Sequence, residues 1–288
     1  MERTLSFLSL FILLCFVSTA SAGWNKAGDA NTEEDRGAVV IMSFAENMPW
    51  IADGTDTGRY LYVLAKADCA ACTQLYTMSR DYTKDVQIRW IFVDGSDAGA
   101  YNAMYGTRTP EAVANLLEKR LLPDDRDPKK TAKVNQYVQK AMAVALARKM
   151  TSVDGNIYFP ALIYGNKEKA TIQIGLTPTA LGKLMASIPT VPVDKDFVPL
   201  ALTADEDAVP LKPLPEGYKY VNNTAKSTPM FIMPNQKSPN VGSIAPKADW
   251  PVLCTGFTEN GFIAMELLGN SGSIYCYDPV EVNRILKK

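Results

Sequence analysis

The chain has 288 residues, 47% of them hydrophobic and 21% charged, with 30 basic against 31 acidic side chains and a formal net charge of −1. That composition supplies buried cores and excludes a disordered chain, a collagen and a polybasic nucleic-acid binder. Histidine is absent altogether, which removes Ser-His-Asp triads, Cys-His dyads, histidine metal sites and imidazole proton shuttles, and leaves carboxylates, Lys, Tyr, Ser and Cys to carry any catalysis.

Arg3 is followed by a largely apolar run from Leu5 to Val17 and then by Ala20-Ser21-Ala22 ahead of Gly23. This small-x-small pattern reads as a cleaved secretory signal over residues 1–22. The run is short for a membrane span and nothing later approaches about 18 uninterrupted apolar residues, so an exported, soluble mature protein is expected. Cleavage removes Cys15 and leaves Cys69, Cys72, Cys254 and Cys276. An even number of cysteines in an exported chain points to two disulfide pairs or redox couples before a metal site.

Residues 23–188 alternate strand-like and helix-like segments. Arg59 to Ala65 is β-prone and leads into Asp68-Cys69-Ala70-Ala71-Cys72, after which Thr73 to Arg80 favours helix, so the cysteine motif falls at a strand-to-helix turn. Val86 to Val93 is apolar except for Gln87 and Arg89, the pattern of a strand covered on both faces. Helical spacing of Val113, Leu116 and Leu117, and of Val134, Val138 and Met142, predicts helices over Pro110–Leu122 and Lys129–Met150. Strands follow at Ile157–Tyr164 and Ala170–Ile174, then a helix opened by Thr177 as N-cap and Pro178 in the first turn. The order is that of an α/β layer.

From Pro189 the composition changes. Pro192, Pro199, Pro210, Pro213 and Pro215 and the acidic cluster Asp205-Glu206-Asp207 predict an extended linker over residues 189–225. Residues 226–288 show short apolar runs broken by Pro-Asn, Ser-Pro-Asn and Asn-Gly turns, the punctuation of a small all-β module. Trp24, Trp50, Trp90 and Trp250 are expected to be packing residues. Asn222 to Thr224 is a formal glycosylation sequon.

Cys69 and Cys72 stand three residues apart, on one face of a helix, so their sulfurs can meet at little backbone cost. A helix N-terminus offers free N–H groups and a partial positive charge that favour Cys69 as a thiolate and nucleophile, with Cys72 resolving the mixed disulfide. A plain structural bridge is the lesser alternative, because so short a loop gains little from closure. A zinc site using all four cysteines lacks the spacing at 254 and 276, and haem attachment lacks a histidine at 73. No metal and no cofactor are expected. Cys254 and Cys276 each lie in a β-prone run, which predicts a structural strand-to-strand disulfide, with a second redox relay as the alternative.

Tyr60 to Ala65, Asp68 to Cys72, Leu75, Phe159 to Ile163 and Gly175 together resemble the exported bacterial thioredoxin-fold thiol:disulfide interchange proteins of the Dsb isomerase type. The resemblance covers about residues 45–188. It implies a thioredoxin-like α/β domain in which residues 110–150 are the helical insertion, Cys69 and Cys72 are the catalytic pair, and Pro160 is the cis-proline whose loop faces that pair. Phe159 stands where the family usually has Thr or Val, beside the substrate groove. The stretch from 23 to 58 is too short for the dimerisation domain of such isomerases, so their V-shaped homodimer is not expected. The dipeptide Ala70-Ala71 carries neither His nor Pro, and Asp68 places a negative charge beside the nucleophile. Asp68 therefore tunes the couple toward a less acidic Cys69 and a less oxidising disulfide.

Residues 226–284 resemble a bacterial SH3-like domain, carried by Met230-Phe231, Ser238 to Gly242, Val252-Leu253, Asn260 to Met265 and Gly272 to Tyr275. Phe262 stands where that family commonly has Trp. The resemblance implies a small barrel that binds cell-wall peptides or envelope proteins. The expected function is thus a periplasmic thiol:disulfide oxidoreductase or isomerase acting on exported cysteine-containing proteins, served by a membrane redox recycling partner and docked through its tail, without nucleic acid. The alternative is a non-enzymatic scaffold of the envelope or of a secretion apparatus that keeps the fold for binding.

Overall fold

The computed structural model describes residues 33–93, 102, 104–106, 108–121, 137, 158–174, 177–203, 209–249, 253–266 and 273–287. The expected signal at 1–22, Trp24, Trp250, Gly175 and, apart from the buried Tyr137, the helix at 129–150 lie outside these residues. The chain divides into two compact units between Ala204 and Asp205.

The first unit opens with helix α1 (Glu33–Asn47), then β1 (Ile51–Asp53), β2 (Tyr60–Ala65), α2 (Ala70–Ser79), a 3₁₀ turn (Arg80–Tyr82), β3 (Gln87–Phe92) and α3 (Pro110–Leu117). It closes with β4 (Ala161–Gly165), β5 (Ala170–Ile174), α4 (Pro178–Ser187) and the single turn α5 (Leu200–Thr203). The strands form one sheet in the order β1-β3-β2-β4-β5. β2 and β3 are parallel, in the register Tyr60↔Gln87 through Ala65↔Phe92, and the other pairs are antiparallel. This is the mixed α/β layer expected from the sequence.

Every residue of β2 and β3 is buried, as strands with both faces covered require. Arg89 stays in that setting because its guanidinium lies 3.6 Å from the Tyr60 ring centroid and 4.0 Å from that of Trp50. It also donates to Gln87 Oε1 at 2.9 Å and to the Tyr62 hydroxyl at 2.7 Å. On β3 the neighbouring Trp90 packs on Tyr76 of α2, with centroids 5.9 Å apart, and donates its indole N–H to Asp53 at 3.3 Å. Asp53 is buried and is paired at the same time with Arg80 at the end of α2. This fastens the helix to the edge strand.

The reading of α4 holds: Thr177 is the N-cap residue and Pro178 occupies the first turn, while the Thr177 hydroxyl makes no capping bond and lies 3.3 Å from Thr179 Oγ1. Helix α3 ends at Leu117 rather than Leu122. Helix α1 and strand β1, which the sequence reading did not assign, cover and extend the sheet through Ile41, Phe44, Ala45, Met48 and Ile51, all buried.

Within residues 189–225, the segment expected to be an extended linker, the two halves bond to different units. Val191 donates to Gly58 O at 2.8 Å, and Gly58 has φ +76° with a β-carbon there falling 2.3 Å from Val191 O. Only glycine admits so close a crossing. Ile188 and Ala201 are buried in the same unit. Lys212 instead exchanges two backbone hydrogen bonds with Phe257, at 2.8 and 2.9 Å, and Val221 bridges to Asp249.

The second unit contains β6 (Thr228–Phe231), β7 (Asn240–Ile244), β8 (Cys254–Phe257), β9 (Phe262–Glu266), β10 (Ser273–Tyr277) and helix α6 (Pro279–Leu286). The strands form an antiparallel sheet in the order β7-β6-β10-β9-β8. Phe231, Phe262, Ala264 and Tyr275 form a buried cluster with Tyr277 against it, and Phe262 meets Phe231 edge-on at 6.0 Å. Burying a phenylalanine of this kind contributes about 2 to 3 kcal/mol. The Asn260-Gly261 turn between β8 and β9 carries Gly261 at φ +99°. Asp278 caps α6 by accepting from the Glu281 N–H at 3.0 Å, as Asp does well at an N-cap.

Asn222 ties the segment before β6 into this unit. It is fully buried, donates to the carbonyls of Lys226, Ile244 and Ala245 at 2.9, 2.8 and 3.1 Å, and accepts from Thr224 N and Oγ1 at 3.0 and 2.7 Å. The sequon is therefore spent on internal hydrogen bonds. Among the described residues no helix is long and apolar enough to cross a membrane.

Candidate active site

The site grows from the end of β2. After Ala65 the chain turns through Lys66, Ala67 and Asp68, with the Cys69 N–H donating to Lys66 O at 3.3 Å, and Cys69 becomes the N-cap of α2 in extended backbone. Its sulfur takes the place usually filled by a Ser or Asp oxygen and accepts from the Cys72 N–H at 3.1 Å. A donor of the helix start, shared between the Cys69 carbonyl and the Cys69 sulfur, thus points at the atom that would carry charge as a thiolate. The Cys69 carbonyl accepts from Cys72 N and Thr73 N, both at 3.1 Å, which closes the first turn.

Cys69 and Cys72 are joined as a disulfide with Cα atoms 5.2 Å apart. Cys72 is buried, whereas Cys69 is partly exposed and is flanked by the exposed Asp68, Ala70 and Ala71. The two sulfurs are therefore unequal in access, and an attacking group reaches Cys69 first.

The opposite wall comes from the turn before β4. Pairing of Val63 with Leu162 and Leu64 with Ala161 brings that turn alongside the end of β2. The Phe159–Pro160 peptide bond is cis, Pro160 is buried, and the Phe159 carbonyl oxygen lies 3.7 Å from Cys69 Sγ. The Lys66 ammonium sits 5.2 Å from the centroid of the Phe159 ring. The structure thus brings Asp68, Cys69, Cys72, Phe159 and Pro160 into one locality.

A further contributor was not legible in the sequence. The end of α3 and the chain after it reach the elements around Cys69 twice: Leu117 O accepts from the Thr73 hydroxyl at 3.0 Å, and the Arg120 guanidinium donates to Ala67 O. No spacing or composition signal marks Arg120, because the bond joins residues in sequence-distant loops.

The expected structural disulfide between Cys254 and Cys276 is corrected: both are free thiols. They lie on β8 and β10 with β9 between them, Cys254 opposite Met265 and Cys276 opposite Ile263. Strands two apart are separated by about 9 to 10 Å, beyond the roughly 7 Å over which a disulfide closes without backbone movement. Burial pushes the Cys254 thiol up to about 11, against a smaller lowering by a backbone hydrogen bond from Tyr220. Burial pushes Cys276 higher still, against a side-chain hydrogen bond from the same tyrosine. Neither is suited to act as a nucleophile.

No protein-family model and no curated protein matches the chain. Among solved structures it is similar to ScsC of Proteus mirabilis in a compact conformation, at 14% identity and TM-score 0.37 over 62% of this chain and 88% of that one. It is similar also to the thiol-disulfide exchange protein alpha-DsbA2 of Wolbachia pipientis, at 12% identity and TM-score 0.35 over 55% of this chain and 98% of the other. A third likeness is to BcfH of Salmonella enterica Typhimurium, at 10% identity and TM-score 0.32 over 62% and 87% of the two chains.

Proposed function

We propose that the chain is an exported thiol:disulfide oxidoreductase of thioredoxin-like fold. The observation that carries this reading is the pairing of an accessible N-cap sulfur, Cys69, with a buried partner, Cys72, opposite the cis Phe159–Pro160 turn. In the oxidised form a substrate thiolate attacks Cys69 Sγ and breaks the Cys69–Cys72 bond. Cys72 leaves as a thiolate and takes up a proton. A second substrate thiolate then attacks the substrate sulfur of the mixed disulfide, releasing a substrate disulfide and reduced Cys69. Two electrons pass from substrate to enzyme, and the reverse sequence reduces or rearranges a substrate disulfide.

The substrates in this reading are exported cysteine-containing proteins in the periplasm, bound as extended chain beside Phe159 and Pro160. A membrane redox partner returns the pair to its working state. Asp68 holds the couple toward the reducing or isomerising side. The β unit of residues 209–287 serves as an SH3-like module that docks the enzyme on a wall or envelope partner. The chemistry is supported by the site alone, and the docking by the unit's small antiparallel sheet.

The test is a trapping pair. C72S, incubated with a peptide disulfide, accumulates a mixed disulfide through Cys69, while C69S accumulates none and loses turnover by roughly a hundredfold or more. Equal trapping by both variants, or by neither, would favour the scaffold reading instead.

A further inference from the structure

Arg120 occupies a backbone conformation that suits another residue. Helix α3 ends as the Glu118 N–H bonds to Ala114 O at 2.9 Å, and the chain reverses so that the Leu121 N–H closes on Asn115 O at 2.8 Å. The residue at the reversal, Arg120, has φ +55°. Glycine is the usual choice there because a β-carbon crowds the left-handed region. The side chain retained at this place is used: its guanidinium donates to the carbonyl of Ala67, two residues before Cys69.

A second bond runs in parallel. The Thr73 hydroxyl sits between Leu117 O, at 3.0 Å, and Cys69 O, at 3.3 Å. The segment Leu117–Arg120 therefore grips the redox turn on both sides of Asp68-Cys69. Ala67 and Cys69 are two residues apart, at most about 7 Å between Cα atoms, so the bond holds the Arg120 charge at the base of the turn that carries Cys69.

We infer that Arg120 is a positioning residue for the redox couple: it fixes the Ala67–Cys69 turn so that Cys69 stays the N-cap, and its permanent positive charge opposes that of Asp68 in setting the Cys69 thiolate. This inference rests on the oxidoreductase reading. A cation near Cys69 favours the thiolate and hence the reduced pair. Removing it makes the disulfide harder to reduce.

The experiment compares full-length wild type with R120G and R120K, reading the Cys69 thiolate titration by ultraviolet absorbance, the equilibrium with glutathione, and the melting temperature. R120G relieves the left-handed backbone, so its melting temperature is expected to equal or exceed that of wild type. Its Cys69 pKa rises, and its equilibrium shifts toward the disulfide by about fivefold, or about 20 mV at 29.6 mV per tenfold. R120K recovers the larger part of that shift. An R120G protein with wild-type thiolate titration and potential overturns the inference, whether or not it melts lower. If R120G both melts lower and shifts, a matching shift in R120K overturns it and recovery supports it. A wild-type pair that no glutathione buffer reduces is a different result and contradicts the oxidoreductase reading itself.

Discussion

Cys69 Sγ lies 3.7 Å from the carbonyl oxygen of Phe159, a residue 90 positions further along the chain. Two strands make that approach possible. β2 delivers the cysteine at its end, and β4, antiparallel beside it, begins just past the Phe159–Pro160 turn. The sheet register therefore sets the distance between Cys69 and the Phe159–Pro160 turn.

Charge beside Cys69 is expected to tune the couple. Asp68 is exposed, so its field on Cys69 is screened and modest. D68N is expected to lower the Cys69 thiolate pKa and to shift the glutathione equilibrium toward the reduced pair by about threefold, near 15 mV. The direction is opposite to that of R120G. Raising the salt concentration should shrink the D68N effect, and a D68N potential equal to wild type at low salt would remove Asp68 from the tuning of the site.

Asp53 links the edge strand to the helix that carries the cysteines. It is buried and accepts from Arg80 Nη1 at 3.0 Å and Trp90 Nε1 at 3.3 Å. D53A leaves the indole donor unpaired and removes the carboxylate from Arg80, at an expected cost of about 3 kcal/mol. Urea unfolding monitored by Trp fluorescence checks this, and a loss below about 1 kcal/mol would show that the pair contributes little net stability.

Asn222 should matter for folding and not for modification. N222A removes a buried side chain that makes five hydrogen bonds, takes one donor each from the carbonyls of Lys226, Ile244 and Ala245, and is expected to cost about 3 kcal/mol in the second unit. Mass spectrometry of protein from a glycosylating host should find Asn222 unmodified in folded material.

Alkaline pH should destabilise the second unit. Burial raises Cys254 to about 11 from an ordinary 9.0 and raises Cys276 further, so above pH 9 the unfolded chain releases protons that the native state keeps. Stability is whole below that pH and falls as pH rises through about 11, by about 1.4 kcal/mol per pH unit for each proton retained. A C254A/C276A variant should show a flatter decline between pH 9 and 11 in urea unfolding. An unchanged slope would mean that the thiols are not held protonated by burial.

Much of the first unit was legible because its signals are local. The apolar runs of β2, β3 and β5 and the start of α4 at Pro178 read directly, and the strand-to-helix turn placed Cys69 at a helix N-terminus. The larger surprises concern long-range partners. Pro189 to Ala225 has the composition of a linker, yet Val191 and Lys212 find backbone partners in different units. Cys254 and Cys276 both sit in β-prone runs, but composition does not reveal that β9 lies between them. Arg89 breaks an apolar strand, and its burial depends on rings supplied by Trp50 and Tyr60. Arg120 reaches Ala67 only because the chain after α3 folds back to the redox turn.

The most direct measurement equilibrates the full-length protein with graded glutathione buffers and tags free thiols site by site with a mass-shifting alkylator. The account predicts that Cys69 and Cys72 titrate together and reversibly between about −120 and −230 mV, the range of known oxidants, isomerases and glutaredoxins, with Cys69 the faster to be tagged. A Cys69–Cys72 bridge that stays oxidised below about −300 mV, as structural disulfides do, would contradict it.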